Sequence, residues 1–317
     1  MSLAFVFPGQ GSQSVGMLAE LGAAEPVVRE TFAEASEVLG YDLWALCQSG
    51  PESDLGVTYR TQPAMLAAGV ATWRAWLAHG GARPVAMAGH SLGEYTALVC
   101  SEALEFREAV DIVRYRGEVM QEAVPLGQGA VAAVLGLDDA ALTAACREAA
   151  HGEVVEPVNF NSPGQVVIAG HTAAVNRAIE AAKARGAKRA VLLPVSVPVH
   201  SPLMRAPAER LAERLAATEF RLPKATEVFT VDVRTHTSPE GIRAALKEQL
   251  YKPVLWADTV RAMLARGITT FVECGPGKVL TSLNRRIERR PDLKMLAIDD
   301  SASLAAALAA TREAPHA

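Results

Sequence analysis

The stretch MAGHSLGEY, residues 87–95, sets Ser91 in the pattern G-x-S-x-G. A small-residue run, ARPVAMAGHS, leads into it and the helical pattern LGEYTALVC comes after it. Strand, sharp turn and helix in that order make a nucleophile elbow, which lifts a serine hydroxyl clear of the backbone. An elbow needs a buried strand in a sheet behind it and a helix start in front, so it points to an α/β fold. The hydroxyl would take an acyl group, and the open point is whether water or a second nucleophile removes it.

The rest of the chain fits such a sheet. LAFVF, residues 3–7, reads as a buried strand ending in the Pro-Gly turn of PGQGSQ, with helical patterns at about 24–39 and 62–78. The middle has another rhythm. GAVAAVLGL, VVEPVNF, GQVVIAG and KRAVLLPVSV read as strands, and DDAALTAACREAA and TAAVNRAIEAAKARG as helices. The order β-α-β-β-α-β is that of a ferredoxin-like unit. Alternating helix and strand patterns then resume through EVFTV, ITTFVEC and LKMLAI. The expected architecture is therefore α/β: a hydrolase-like core with a mostly parallel sheet, residues 1–125 and 199–312, plus a ferredoxin-like insert at 126–198. Residues 313–317 are expected to be a frayed tail.

Composition excludes several classes. With 317 residues, half of them hydrophobic, a sizeable core is expected, and a net charge of −4 gives no reason to expect nucleic acid as a partner. No apolar run approaches the roughly 18 residues of a membrane span, and the broken apolar start lacks the basic flank of a signal peptide. The four cysteines show no C-x-x-C spacing, so neither a disulfide framework nor a zinc site is expected. These features suit a cytoplasmic protein with reduced thiols and no metal.

A serine nucleophile needs a base within hydrogen-bond reach. Of seven histidines, His79 reads as a helix stop, His90 is too close to Ser91 along the chain, His151 and His171 fall in loops of the insert, His236 in a polar, solvated loop and His316 in the tail. His200 stands where the insert returns the chain to the core, between Pro198 and Pro202, and a junction of that kind can face a cleft. No acid between Ser91 and His200 follows a core strand, so a Ser-Asp-His triad lacks its third member.

The helix pattern FREAVDIVRYRGEVMQEAV, 106–124, gathers Ala109, Val110, Ile112, Val113 and Met120 on one arc at 100° per residue. Arg116 falls inside that apolar arc. A buried arginine without a partner costs several kcal/mol, so it needs a carboxylate or an equivalent acceptor. That partner is either internal, such as Glu94 or Glu273, or belongs to the acyl group.

With these residues assembled, the chain resembles the malonyl-CoA:acyl-carrier-protein transacylases of bacterial type II fatty-acid synthesis. The resemblance runs from about residue 3 to 312 through FPGQGSQ (7–13), GHSLGEY (89–95), RG (116–117), NFNSPGQVVIAG (159–170), VH (199–200), QLYKPVLW (249–256) and GPGKVL (275–280). It implies Ser91 as acylated nucleophile, His200 as base, the backbone N–H groups of Gln10 and Leu92 as oxyanion hole, and Arg116 as partner of the malonyl carboxylate. The carbonyl of Gln249 would replace the triad acid, and Gln62, Asn159 and Asn161 would line the pocket. Malonyl-CoA and acyl carrier protein are the implied partners, with no cofactor beyond the coenzyme A thioester that is substrate. Val199 stands where relatives often carry serine or phenylalanine, and EVFTVDV lacks an asparagine frequent in that strand.

Two other readings share the elbow: a thioesterase or esterase that passes the acyl group to water, and an acyltransferase serving a polyketide pathway. A catalytically dead carrier-binding scaffold would not need Ser91, His200 and Arg116 together. GPGK continues with Val279 where a phosphate loop needs serine or threonine. Arg285, Arg286, Arg289 and Arg290 are expected along one side of a late helix, as a docking patch for an acidic carrier or as a solvated helix end.

Overall fold

The computed structural model describes residues 2–125, 127–195 and 197–312; the expected tail at 313–317 lies outside them. The strands are β1 (Leu3–Phe7), β2 (Ala86–Gly89), β3 (Gly129–Leu135), β4 (Val155–Ser162), β5 (Gln165–His171), β6 (Arg189–Leu192), β7 (Glu227–Phe229), β8 (Thr270–Cys274) and β9 (Lys294–Ile298). They form two sheets, one ordered β7-β2-β1-β8-β9 and the other β4-β5-β3-β6.

Every pairing in the five-stranded sheet is parallel, which requires both faces to be covered. The alternation in β1 shows how. Leu3, Phe5 and Phe7 face one way, where Trp73 and Trp76 of the helix Thr58–Ala78 meet Phe5 edge-on at centroid distances of 5.1 and 5.2 Å. Ala4 and Val6 face the other way, onto Trp256 and Val260 of the helix Trp256–Ala265 and Leu283 of the helix Val279–Ile287. The period of two along an extended chain divides one apolar run between two cores.

The four-stranded sheet is antiparallel. Ala130, Ala132 and Val134 of β3 pack on Leu142 and Cys146 of the helix Asp139–Ala150 and on Val175 and Ile179 of the helix Thr172–Ala184. The opposite face, with Val131, Ala133 and Val167, is left for the cleft between the sheets. Backbone bonds join this layer to the core: Phe160 N donates to Val254 O (2.9 Å) and Val254 N to Val158 O (2.8 Å).

The expected elements form, with informative differences. KRAVLLPVSV pairs over β6 and through one further bond, Leu193 N to Val131 O (2.8 Å), before Pro194, which has no N–H for the ladder. Leu193 and Val195, beyond the strand, line the cleft from irregular chain. Helices Ala19–Ala24, Leu43–Ser49, Glu52–Leu55 and Ser301–Thr311 were not expected. The last starts at a capping box in which Asp300 accepts from Ser303 N and Ser303 Oγ from Asp300 N.

Close approach fixes the join between β1 and the elbow. A Cβ on Gly93 would stand 2.0 Å from Phe7 O, so only glycine lets the helix Gly93–Cys100 reach the strand. Gly93→Ala is expected to cost about 3 kcal/mol, read as a lower urea midpoint with an unchanged slope; an unaltered midpoint would contradict the contact.

Candidate active site

Ser91 sits at φ 52°, in the left-handed region that few non-glycine residues adopt. The conformation holds because its neighbours are small: a Cβ on Gly89 would lie 1.8 Å from the Gly93 carbonyl carbon. His90 N donates to Phe7 O (2.9 Å), tying the turn to β1. His90 itself is half-buried, donating from Nε2 to Asn161 Oδ1 (2.8 Å) with its ring 5.7 Å from that of Trp256. Its imidazole thus points away from Ser91 and braces the elbow against β4.

His200 is also at positive φ, 58°, in a turn held by Ser201 Oγ donating to Pro198 O (2.6 Å). Ser91 Oγ lies 2.8 Å from His200 Nε2, and His200 Nδ1 lies 2.7 Å from Gln249 O. A carbonyl only accepts, so Nδ1 carries the proton and Nε2 presents a lone pair to the serine hydroxyl. Burial, with the nearby Arg116 charge, pushes the His200 pKa down to about 3, against the Gln249 carbonyl, which raises it. The ring is therefore neutral at neutral pH.

Arg116 is 2% exposed on the helix Phe106–Glu122, between Ile112 and Met120 as its arc requires. It bonds no carboxylate. Nη1 donates to Gln62 Oε1 (2.7 Å), Nη2 to Gln249 Oε1 (2.9 Å) and, more weakly, to Ser91 Oγ (3.2 Å). The face of Tyr95 lies 5.6 Å away, and buried Nε has no hydrogen-bond partner among the described residues. Desolvation lowers its pKa. Neither internal candidate pairs with it directly: Glu273 accepts from Leu280 N (3.0 Å) and Thr281 N (2.7 Å) at the start of the helix Val279–Ile287, and Glu94 reaches it only through the Gln249 amide.

Ser91, His200 and Arg116 line a cavity of about 380 Å³ between the sheets. Gln10, Leu92, Gln62, Asn159 and Asn161 line it too, as does Val199 beside the histidine. Among the described residues the amides of Gln10 and Leu92 donate to no protein acceptor. Both remain available to an oxygen in the cavity.

Other expectations are revised. His236 is not a solvated loop residue: its side chain is 20% exposed, with Nε2 3.0 Å from Thr230 Oγ1 and 3.4 Å from Asp232 Oδ1. Thr230 of EVFTVDV is held by these neighbours; nothing in the structure explains threonine there in place of asparagine. His171 ends β5, where Nδ1 accepts from Val154 N (3.0 Å). The arginines are not one stripe. Arg285 donates to Met295 O, Arg286 to Gln165 Oε1, and Arg289 and Arg290 lie beyond the helix end at Ile287. Sequence reasoning named Glu94 only as a direct partner of Arg116 and missed the Gln249 side chain that stands between them. Glu94 stands in a helix buried almost all round, so the same test of a charge on an apolar arc that marks Arg116 could have marked it in its own right.

Fold and site together define an acyltransferase built on a hydrolase-like core. Residues 4–298 match the family described as acyl transferase domain. The chain is 57% identical over 305 residues to the malonyl CoA-acyl carrier protein transacylase of Escherichia coli strain K12, covering 96% of this chain and 98% of that one. Identity to the Bacillus subtilis strain 168 protein of that name is 43% over 312 residues, 98% of each. An acyl carrier protein S-malonyltransferase from Vibrio cholerae superposes with TM-score 0.93 at 55% identity, covering 96% of this chain and 99% of that one. A malonyl-transacylase in complex with its type II PKS acyl-carrier protein gives 0.96 at 54%, covering 98% and 100%. The chain belongs to the acyl transferase domain family, among its malonyl CoA-acyl carrier protein transacylases. Among the described residues no helix is long and apolar enough to cross a membrane.

The depressed His200 pKa has a direct readout. Its imidazole ¹⁵N shifts are expected to stay those of the neutral Nδ1–H tautomer from pH 8 down to about 5. Arg116→Ala should move the titration upward by removing a neighbouring positive charge. Titration near the ordinary histidine value in the unaltered protein would refute the burial argument.

Proposed function

We propose that this chain transfers the malonyl group from malonyl-CoA to the phosphopantetheine thiol of an acyl carrier protein. The route is ping-pong through a malonyl-Ser91 intermediate and supplies fatty-acid chain elongation in the cytoplasm. The observation that carries the reading is Arg116, a buried cation on neutral acceptors within 3.2 Å of the serine oxygen. Guanidinium matches a carboxylate with a planar fork. Its nearness to Ser91 suits an acid whose free carboxylate is one methylene from the acyl carbon.

Ser91 Oγ attacks the thioester carbonyl as His200 Nε2 takes its proton. The oxyanion rests on the Gln10 and Leu92 amides, each donor worth about 3 kcal/mol in comparable sites. The tetrahedral intermediate collapses, the C–S bond breaks, and the proton returns through His200 to the departing coenzyme A sulfur. The carrier's thiol then gives its proton to His200 and attacks the same carbonyl; the ester bond to Ser91 breaks, and His200 returns the proton to Ser91 Oγ. Asn159, Asn161 and Gln62 shape the pocket, and Val199 forms a wall beside the reacting centre. We take residues 126–198 as an insert in the core of 1–125 and 199–312. The two-sheet division and the backbone bonds at Val254 support that reading. A second reading, service to a polyketide pathway, is favoured by the likeness to the structure whose carrier is described as type II PKS.

The helix Val279–Ile287 begins at the cavity with Val279 and Leu280 and ends about 12 Å away at 1.5 Å per residue, so Arg289 and Arg290 stand where a carrier could dock. Charge reversal at both is expected to raise KM for the carrier several-fold and leave acylation by malonyl-CoA intact; equal change in both half-reactions would exclude docking there.

The main test is intact mass of the protein mixed with malonyl-CoA alone. A persistent one-malonyl adduct, absent in Ser91→Ala, is expected; steady release of malonate without an adduct would establish a hydrolase. In the same assay Arg116→Ala should lose malonyl transfer by at least about 100-fold, as for a charge-assisted contact, and gain relative activity with acetyl-CoA. Unchanged malonyl preference would refute the carboxylate role.

A further inference from the structure

Behind Ser91, on the side away from the cavity, Glu94 is 2% exposed. One carboxyl oxygen, Oε2, accepts from Gln249 Nε2 (2.7 Å); the other, Oε1, is buried with no hydrogen-bond partner among the described residues. Gln249 Nε2 also donates to Ser91 O (3.0 Å), and Gln249 Oε1 accepts from Arg116. The orientation of this amide is therefore fixed from both ends. Arginine only donates, so the oxygen must face Arg116; Glu94 and the Ser91 carbonyl accept, so the nitrogen must face them. A flipped amide would set its NH₂ against the guanidinium.

We propose that Glu94 is a positioning residue that, through the Gln249 amide, sets both the orientation and the net charge of the Arg116 carboxylate site. The proposal rests on Arg116 as partner of the substrate carboxylate. Substrate does not touch Glu94. Its oxygen holds the amide that holds the cation, and its ionisation adds a negative charge behind that cation.

The groups facing Glu94 are Gln249 from the helix Pro239–Gln249, Arg116 from Phe106–Glu122, Tyr95 on its own helix, and Val231 and Asp232 after β7. Asp232 shares its charge with Thr230 and His236. Burial pushes the Glu94 pKa up to about 8, opposed by the Gln249 hydrogen bond and the Arg116 charge. Glu94 is thus mostly protonated at neutral pH and ionises above it. Once ionised it repels the incoming carboxylate and weakens malonyl binding.

Acylation kinetics of the whole enzyme with malonyl-CoA and acetyl-CoA test this. In the unaltered enzyme, KM for malonyl-CoA is expected to rise several-fold between about pH 7 and 9 while KM for acetyl-CoA does not. Glu94→Met, which removes the acceptor, should raise the malonyl KM about tenfold at pH 7 with a smaller change for acetyl-CoA. Glu94→Gln, which keeps an oxygen for Gln249 but cannot ionise, should restore most of that loss and abolish the alkaline rise. A folded Glu94→Met enzyme with a malonyl KM within twofold of the original overturns the proposal. So does a Glu94→Gln enzyme that keeps the alkaline rise, a comparison that stands even if Glu94→Met does not fold. If Arg116→Ala abolishes malonyl preference while both Glu94 variants behave as the original, only the Glu94 proposal fails; if Arg116→Ala keeps that preference, the reading beneath it fails.

Discussion

A cation buried beside Ser91, with no carboxylate bonded to it among the described residues, organises the site. Removing a guanidinium from water is costly unless its donors are matched, and here glutamine oxygens take one donor from each terminal nitrogen while Nε stays unmatched among the described residues. Gln62 comes from the helix Thr58–Ala78 and Gln249 from Pro239–Gln249, so satisfying Arg116 pins three helices to one point. Gln249 carries the heaviest share. Its carbonyl meets His200, its amide oxygen Arg116, and its amide nitrogen Ser91 and Glu94. Displacing that residue would disturb His200, Arg116 and Ser91 together.

The scaffold around this point divides its work between two sheets. The parallel sheet supplies the elbow at the end of β2, where ligands bind in open α/β folds. The antiparallel sheet turns its helix-free face to the cleft and lends Asn159 and Asn161 from β4. His90, bonded to Asn161, and Val254, bonded to β4, join the halves.

Much of this is legible in the chain, and the reasons differ by residue. Ser91 announces itself because an elbow needs two glycines at fixed spacing, and Arg116 because a helix arc tolerates no unexplained charge. His200 stands out by its place at a junction between prolines. The residues of the four-stranded layer emerge from periodicity, since strand and helix differ there in period and length. The third partner of the histidine leaves no trace of that kind: a backbone carbonyl is common to every residue type, so only the resemblance points to Gln249. The short helices are hidden for another reason, being too brief for a period to show. Pro194 ends the ladder after Leu193, an effect the apolar pattern conceals, and His236 lies in a segment whose polar letters form bonds with one another instead of with water.

That carbonyl in the triad's third place bears on the choice of acceptor. A carboxylate opposite the imidazole would stabilise the charge that forms when the ring takes a proton; a neutral carbonyl does so far less. The ring still serves Ser91, held 2.8 Å from its Nε2, but it gives a free water, whose proton leaves near pKa 16, less help than a full triad would. A thiol, with a pKa near 8.5, gives its proton up about seven orders of magnitude more readily and attacks with little help. On the proposed route, one missing negative charge opposite His200 Nδ1 biases an acyl group on Ser91 towards a thiol acceptor and away from water.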